Sequence, residues 1–384
     1  MIQNGVICSR LAQVPESASF FLFGPRGTGK SSWVRAQMPH ASYVDLLEDD
    51  TYRRLLTRPG SLSDHFGPGR AQGTVIIDEV QKVPALLDEV HRLIELRGIQ
   101  FALTGSSART LRREGVNLLA GRALTRSMYP LTAAELGADF NLDKALTTGM
   151  LPLAVTSKDP KAFLSSYVRT YLKEEVEQEG LTRRIDSFAR FLETASFSQA
   201  SILSVSQVAT DAQVHRKVVE DYFSILRDLL LSYELPVFSR RAKRELLTKR
   251  KFYFFDTGLF QTLRPKGPLD SAAELAGPAF ETLCVQELMA LNHDLGKDYA
   301  FSHWRTRRHE EVDLVLYGEH GFKAFEFKSG ARMREQDFKH LALFAEDYPE
   351  AQRVLVYGGT EARTYQGVSV VPAEHFFRDA AAWL

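Results

Sequence analysis

Cysteine is nearly absent from this sequence: 384 residues carry only Cys8 and Cys284. Two cysteines so far apart form no C-x-x-C pair and no Cys/His ligand spacing, which excludes a zinc ribbon and a disulfide scaffold. Neither charge is in surplus, with 48 Lys plus Arg against 48 Asp plus Glu. No global field therefore draws the chain to nucleic acid, and any such affinity must come from a local patch. Long apolar runs are missing, and none approaches the ~18 residues of a membrane span. The opening stretch MIQNGVICSRLAQV lacks the apolar centre of a secretion signal. Internal repeats and low-complexity tracts are lacking too. The expectation is a protein of a reducing cytoplasm, without a membrane anchor.

What is present suits large cores: 44% of residues are hydrophobic and 25% charged. At ~100–200 residues per domain, the length favours two to four domains. The first third alternates apolar strands with helical patterns. The strands are SFFLF (19–23), SYVDLL (42–47), TVIIDE (74–79), QFALTG (100–105) and ALTRSMYP (123–130), and a helix is expected at ALLDEVHRLIEL (85–96). This alternation predicts an α/β fold with a parallel, doubly wound sheet. A helical pattern follows, then a helical unit ending in strands. After a composition break at RPKGPLDSAAELAGPAF (264–280) come a helix, strands and more α/β.

FFLFGPRGTGKSS places Gly24, Gly27, Thr28, Gly29, Lys30, Ser31 and Ser32 directly after an apolar strand, matching G-x-x-x-x-G-K-[ST]. Glycines let backbone N–H groups turn onto phosphate oxygens, and the next helix presents its positive end. Lys30 would reach the β/γ-phosphates and the Ser31 hydroxyl would ligate Mg²⁺. TVIIDE ends in Asp78, placed to hold Mg²⁺, and Glu79, placed to polarise the attacking water. QFALTGSS ends in Ser106, whose hydroxyl could read the γ-phosphate; Ser also ends strands for purely structural reasons. Arg109 and Arg122 are each candidates for a finger on a neighbouring subunit's nucleotide, or plain solvated arginines.

GPRGTGKSS, IIDEVQKVP, LTGSSAR, LLAGR, YPLTAAE, GMLP and YVRTYLKEEV occur in that order. KFYFFDTGL, GPAFETLCVQEL and EVDLVL…EFKSG follow. In these motifs the chain resembles a widespread prokaryotic group of AAA-superfamily P-loop ATPases with a C-terminal domain of unknown function. The resemblance implies an ASCE-type sheet with Lys30, Ser31, Asp78, Glu79 and Ser106 in the roles above, and it favours Arg122 as the finger. The middle segment SFSQASILSVSQVATDAQVHRK follows the group only loosely.

In the middle, SVSQVATDAQVHRKVVEDYFSILRDLLL reads as helix, turn and longer helix, the helix-turn-helix plan. Gln213, His215, Arg216 and Lys217 lead the second helix and are of types that contact phosphates and base edges. In FSRRAKRELLTKRK (238–251), Arg240, Arg241, Lys243, Arg244, Lys249, Arg250 and Lys251 stand against Glu245 alone, a local charge of +6. Such a stripe suits a phosphate backbone; it could equally be a solvated loop or face an acidic neighbour such as EEVEQE (174–179).

EVDLVLYGEHGFKAFEFKSG (311–330) reads as a hairpin with GEHG (318–321) as its loop. Tyr317 then faces Phe322, and Asp313 lies opposite Glu326, with Lys328 on the same face. Opposed carboxylates destabilise a sheet unless a cation lies between them. With Glu281 on the preceding helix, the set resembles the PD-(D/E)xK nuclease core. That resemblance implies metal held by Glu281, Asp313 and Glu326, and Lys328 supporting phosphodiester hydrolysis.

The expected layout is a P-loop ATPase core (1–131), a helical lid or linker (132–186), a winged-helix-like domain (187–264) and a restriction-endonuclease-like domain (265–384). The expected activity is Mg²⁺-dependent ATP hydrolysis that remodels or processes DNA, in a homo-oligomer such as a ring. The alternative is a nucleotide-driven signalling or defence switch whose nuclease-like domain is an inert binding module.

Overall fold

The computed structural model describes residues 9–66, 73–106, 111, 119, 121–171, 185–268 and 271–384. The chain folds into two compact units, 1–129 with 226–231, and 130–225 with 232–384. The expected stretches 132–186, 187–264 and 265–384 thus fall in the second unit apart from 226–231.

In the first unit, β1 (Ser19–Phe23), β2 (Ser42–Asp45), β3 (Thr74–Asp78), β4 (Gln100–Gly105) and β5 (Ala123–Ser127) form one sheet in the order β2-β3-β4-β1-β5. Every pairing is parallel. Such a sheet is covered on both faces, so its central strands read as unbroken apolar runs, and all five residues of β1 are buried. Side chains alternate between the faces. Phe21, Phe23, Ile77 and Leu103 meet Leu86, Val90 and Leu93 of helix Leu86–Arg97. Phe20, Leu22, Ile76 and Ala102 meet Trp33 and Val34 of helix α1 (Lys30–Gln37). β2 ends at Asp45 and β5 at Ser127, both shorter than the apolar patterns suggest.

The second unit opens with short helices at Ala133–Leu136, Leu142–Thr148, Pro152–Thr156 and Pro160–Ser166. There follow helix Ile185–Ser196, β6 (Ser201–Ile202), helices Val205–Asp211 and Arg216–Asp228, β7 (Ser232–Leu235) and β8 (Lys251–Phe254). β6, β8 and β7 form a small antiparallel sheet in that order. Helix Ala272–Asp294 leads into β9 (Ala300–Arg305), β10 (Glu311–Gly318) and β11 (Gly321–Lys328). Helix Gln336–Asp347, β12 (Gln352–Tyr357), β13 (Arg363–Tyr365) and β14 (Val368–Pro372) complete a mixed sheet ordered β13-β14-β12-β11-β10-β9.

Two details differ from the sequence reading. Gly318 pairs with Gly321, so the hairpin loop is Glu319-His320 rather than four residues, while Tyr317 still faces Phe322. Helix Ala272–Asp294 begins inside the stretch taken as a break and runs through Pro278. No helix among the described residues is long and apolar enough to cross a membrane.

Candidate functional site

β1 delivers the chain to the glycine loop at the end of the sheet where β3 and β4 also finish. Gly27 and Gly29 take φ of 85° and 91°, the left-handed region that side chains resist, and this bends the loop back over the start of α1. Lys30 is buried, and its Nζ donates to the carbonyls of Gly24 at 2.7 Å and Pro25 at 3.1 Å. Thr28 donates inward to the Pro25 carbonyl at 2.8 Å, whereas Ser32 is exposed.

Three hydroxyls converge on the buried Asp78 carboxylate. Ser31 Oγ donates to Oδ1 at 2.9 Å, Tyr43 Oη donates to Oδ2 at 2.5 Å, and Thr104 Oγ1 also donates to Oδ1. The parallel sheet order makes this possible, because β4 lies between β1 and β3 and carries Thr104 to the carboxylate. Burial and the Asp78 charge both push the Tyr43 phenol's pKa upward, so this donor stays protonated.

Glu79 adopts φ 60° and ψ 45°, a conformation that costs a non-glycine residue about 1–3 kcal/mol and concentrates at functional sites. Its N–H donates to Thr104 Oγ1 at 3.3 Å. Gln81 Nε2 donates to Glu79 Oε2 and, at 3.1 Å, to Ser106 Oγ, so one amide ties two expected catalytic side chains together. Gln81 Oε1 is buried and finds no hydrogen-bond partner among the described residues. Sequence reasoning gave Gln81 no role; its only signal was an amide two positions beyond Glu79. Arg122 is exposed and ion-paired with Glu95 of helix Leu86–Arg97. Arg109 lies outside the described residues.

In the second unit, Arg216 and Lys217 are exposed at the start of their helix, with Arg216 3.0 Å from Glu220 one turn on. The basic loop between β7 and β8 is uneven. Arg240 lies 4.7 Å over the Tyr317 ring, and Lys243 donates to the Glu346 carbonyl at 3.1 Å. Arg244 pairs with Glu346 at 2.5 Å and Asp347 at 3.1 Å, and Arg250 stands 3.8 Å from Glu234. Arg240, Arg241, Lys243, Lys249 and Arg250 are exposed.

Lys251 departs from the stripe. It is 1% exposed and opens β8, its Nζ lying 2.5 Å from Glu281 Oε1, 2.9 Å from Glu311 Oε1 and 3.0 Å from Asp313 Oδ1. The expectation that Lys251 touches DNA is therefore corrected: strand alternation turns it inward, and three carboxylates hold it there. Burial pulls its pKa down, but Asp313, Glu281 and Glu311 outweigh that and hold it well above the usual lysine range.

The structure brings Glu281, Asp313, Glu326 and Lys328 into one neighbourhood, but with this ammonium among them. Asp313 falls at a bulge in the β9–β10 pairing between Val312 and Val315, and its Oδ2 accepts the Phe327 N–H at 3.0 Å. Lys328 Nζ reaches Glu326 Oε1 at 2.7 Å, and Tyr253 Oη donates to Glu281 Oε1 at 2.5 Å. Burial, reinforced by the Asp313 charge, raises Glu281 to about 8 and Glu326 well above the usual carboxylate range. Burial opposes the charge of Asp313, yet Lys251 and Lys328 hold its pKa below the usual value. Asp313 thus keeps its charge beside two ammonium groups. The expectation of a divalent cation held by Glu281, Asp313 and Glu326 meets a cluster already neutralised from within. No group of three or more His, Cys, Asp or Glu among the described residues is arranged to hold a metal ion.

Residues 16–137 match the family model described as an AAA domain. Residues 139–270 and 276–376 match two models, DUF8612 and DUF4143, each described as a domain of unknown function. The parallel-sheet first unit thus carries an AAA-type P-loop domain. No curated protein sequence matches the chain. Among solved structures, the Aeropyrum pernix ORC1 protein in complex with DNA is 13% identical, with 65% of this chain and 87% of that one covered and a TM-score of 0.26. The Bacillus subtilis DNA clamp loader delta protein is 15% identical, covering 54% of this chain and 83% of its own, with a TM-score of 0.24. A protein from Vibrio cholerae is 11% identical over 95% of this chain and 96% of its own, with a TM-score of 0.22.

Proposed function

We propose that this chain is an Mg²⁺-dependent ATPase whose second unit binds DNA. The observation that carries the ATPase assignment is the Ser31 hydroxyl seated on Asp78 at 2.9 Å, directly behind a glycine loop that opens a helix. Hydroxyl and carboxylate oxygens are the donors Mg²⁺ takes alongside substrate phosphates, so Ser31 and Asp78 fit that ion and would hold it. When bound, it would neutralise charge on the phosphate oxygens.

The chain's own residues supply the rest. Backbone N–H groups of the loop and the first turn of α1 cradle the phosphates. Lys30 exchanges the carbonyls of Gly24 and Pro25 for the β/γ-phosphates. Glu79 orients the attacking water, and Ser106 contacts the γ-phosphate. Gln81 holds Glu79 and Ser106 in register, so a γ-phosphate arriving at Ser106 changes the hold on Glu79. Arg122 exchanges Glu95 for the nucleotide of a neighbouring copy, which makes a homo-oligomeric ring the working assembly.

The DNA half is supported by element order. Helix, strand, two helices and two strands follow one another from Ile185 to Phe254, a winged-helix sequence. Arg216 and Lys217 start its second close-set helix, and Arg240, Arg241, Lys243, Lys249 and Arg250 are exposed on its wing, with Arg244 half-buried beside them. Helix Ala272–Asp294, three antiparallel strands, a helix and a parallel strand likewise support a PD-(D/E)xK-like core. Lys251 among its carboxylates favours an inert module there over a cutting one.

Steady-state ATP turnover and filter retention of ATP, each with and without duplex DNA, test the assignment. Glu79→Gln should retain ATP while turnover falls about 10²–10⁴-fold, the usual range for loss of a general base. DNA should change wild-type turnover. Unchanged turnover in Glu79→Gln would remove Glu79 from the mechanism, and indifference to DNA would favour a switch with another partner.

A further inference from the structure

The carboxylate cluster of the second unit gathers side chains from three elements around one buried ammonium. Glu281 comes from helix Ala272–Asp294, Glu311 and Asp313 from β10, and Lys251 from the first position of β8. Carboxylate oxygens hold divalent cations at about 2.0–2.6 Å. Here Lys251 Nζ stands 2.5–3.0 Å from three of them, filling the place such an ion would take. Further contacts crowd the cluster: Asp313 Oδ2 accepts the Phe327 N–H, Glu281 Oε1 also accepts the Tyr253 hydroxyl, and Glu326 Oε1 faces Lys328, while the buried Glu326 Oε2 has no hydrogen-bond partner among the described residues. The residues that resemble a nuclease metal site therefore do not fit a metal.

We propose that Lys251 is the resident cation of this site, so that the second unit carries a sealed, metal-free form of the two-carboxylate-and-lysine arrangement. The same ammonium fastens the foot of the basic loop 236–250 to helix Ala272–Asp294 and β10. With its cation supplied by the chain, the site has no bound water to activate and serves as a clasp between the two sheets. The proposal stands on the geometry of this unit and is independent of nucleotide chemistry.

Mn²⁺ uptake by the full chain without nucleotide, read from the electron paramagnetic resonance signal of the free ion, tests it. Wild type and Asp313→Asn should take up the same amount. Lys251→Ala should gain a further equivalent, and adding Asp313→Asn to it should abolish that gain. Uptake by wild type that Asp313→Asn removes would overturn the proposal, as would no gain in a folded Lys251→Ala. A second measurement needs no cavity-forming variant. Hydroxyl radicals generated by Fe²⁺ should leave the wild-type backbone at 311–328 uncut, whereas cleavage there would place a metal in the cluster and defeat the proposal.

Discussion

Lys251 shows how much can turn on one side chain. Its ammonium is the counter-charge for a buried acidic cluster, and truncating one partner of such a set leaves charge with nothing to balance it. Lys251→Met should destabilise the second unit by about 3–5 kcal/mol, the usual cost of breaking a buried ion pair, visible as a lower thermal transition. A loss below about 1 kcal/mol, the surface-pair range, would mean that Lys251 is not needed for neutrality. None of this was legible in TKRKF, where Lys251 continues a run of exposed cations. Its partner Asp313 is 62 residues away in sequence, and only the fold brings the two together. Lys30 and Ser31 were legible because the loop motif fixes their spacing within one strand, turn and helix, and Asp78 because a buried apolar strand ends in it. Gln81 was not, since its importance comes from facing Glu79 and Ser106 at once.

At the scale of elements, the motifs GMLP and FFDTGL acquire a common structural explanation. Asp256 caps helix Thr257–Leu263, accepting from Gly258 N at 2.8 Å and Leu259 N at 3.2 Å. It also accepts from Met150 N at 2.8 Å, which ties the short helices to the segment after β8. Gly149 makes the approach possible: its φ is +73°, and a Cβ there would stand 2.1 Å from Asp256 Oδ1. Gly149→Ala should therefore cost more than the roughly 1–3 kcal/mol of the backbone conformation alone, lowering the thermal transition, while Gly98→Ala, with open space around it, should cost far less. The parallel strands were readable because burial on both faces makes them continuous apolar runs. The helix start at Ala272 was not, because Gly277 and Pro278 disguise it and contacts of the long apolar helix override their low propensity. The hairpin register followed from alternation, while the tighter Glu319-His320 turn depended on Gly318 and Gly321 pairing.

Across the molecule, buried carboxyls set the response to pH. Burial raises Glu281 and Glu287 to about 8 from 4.5, and both Glu287 oxygens accept the Ala133 N–H at 3.0 Å. Each binds its proton more tightly in the folded chain. Their contribution is therefore complete below about pH 4.5 and is lost as pH rises towards 8. His303, lowered to about 4 chiefly by burial, works in the opposite sense and only below 6.5. Between pH 6.5 and 8 stability should fall, by up to about 1.4 kcal/mol per pH unit for each carboxyl, lowering the thermal transition, and Glu287→Gln should flatten the slope. A transition that climbs over this interval would contradict the buried-acid assignment.

The proposed DNA contact of the exposed basic loop 236–250 implies a response to salt. Replacing Arg240, Arg241, Lys249 and Arg250 by Gln should weaken DNA binding. The slope of log affinity against log salt should become shallower by about 0.9 for each phosphate that these cations neutralise. An unchanged slope would place DNA elsewhere.

The central claim is that the loop at Gly24–Ser31 is a working ATP site. Release of inorganic phosphate from ATP by wild type and Lys30→Ala, prepared alike, tests it most directly. Wild type should turn ATP over and Lys30→Ala should fall to background, because the proposed mechanism moves the ammonium now resting on the Gly24 and Pro25 carbonyls onto the phosphates. Equal phosphate release by the two proteins would contradict the assignment.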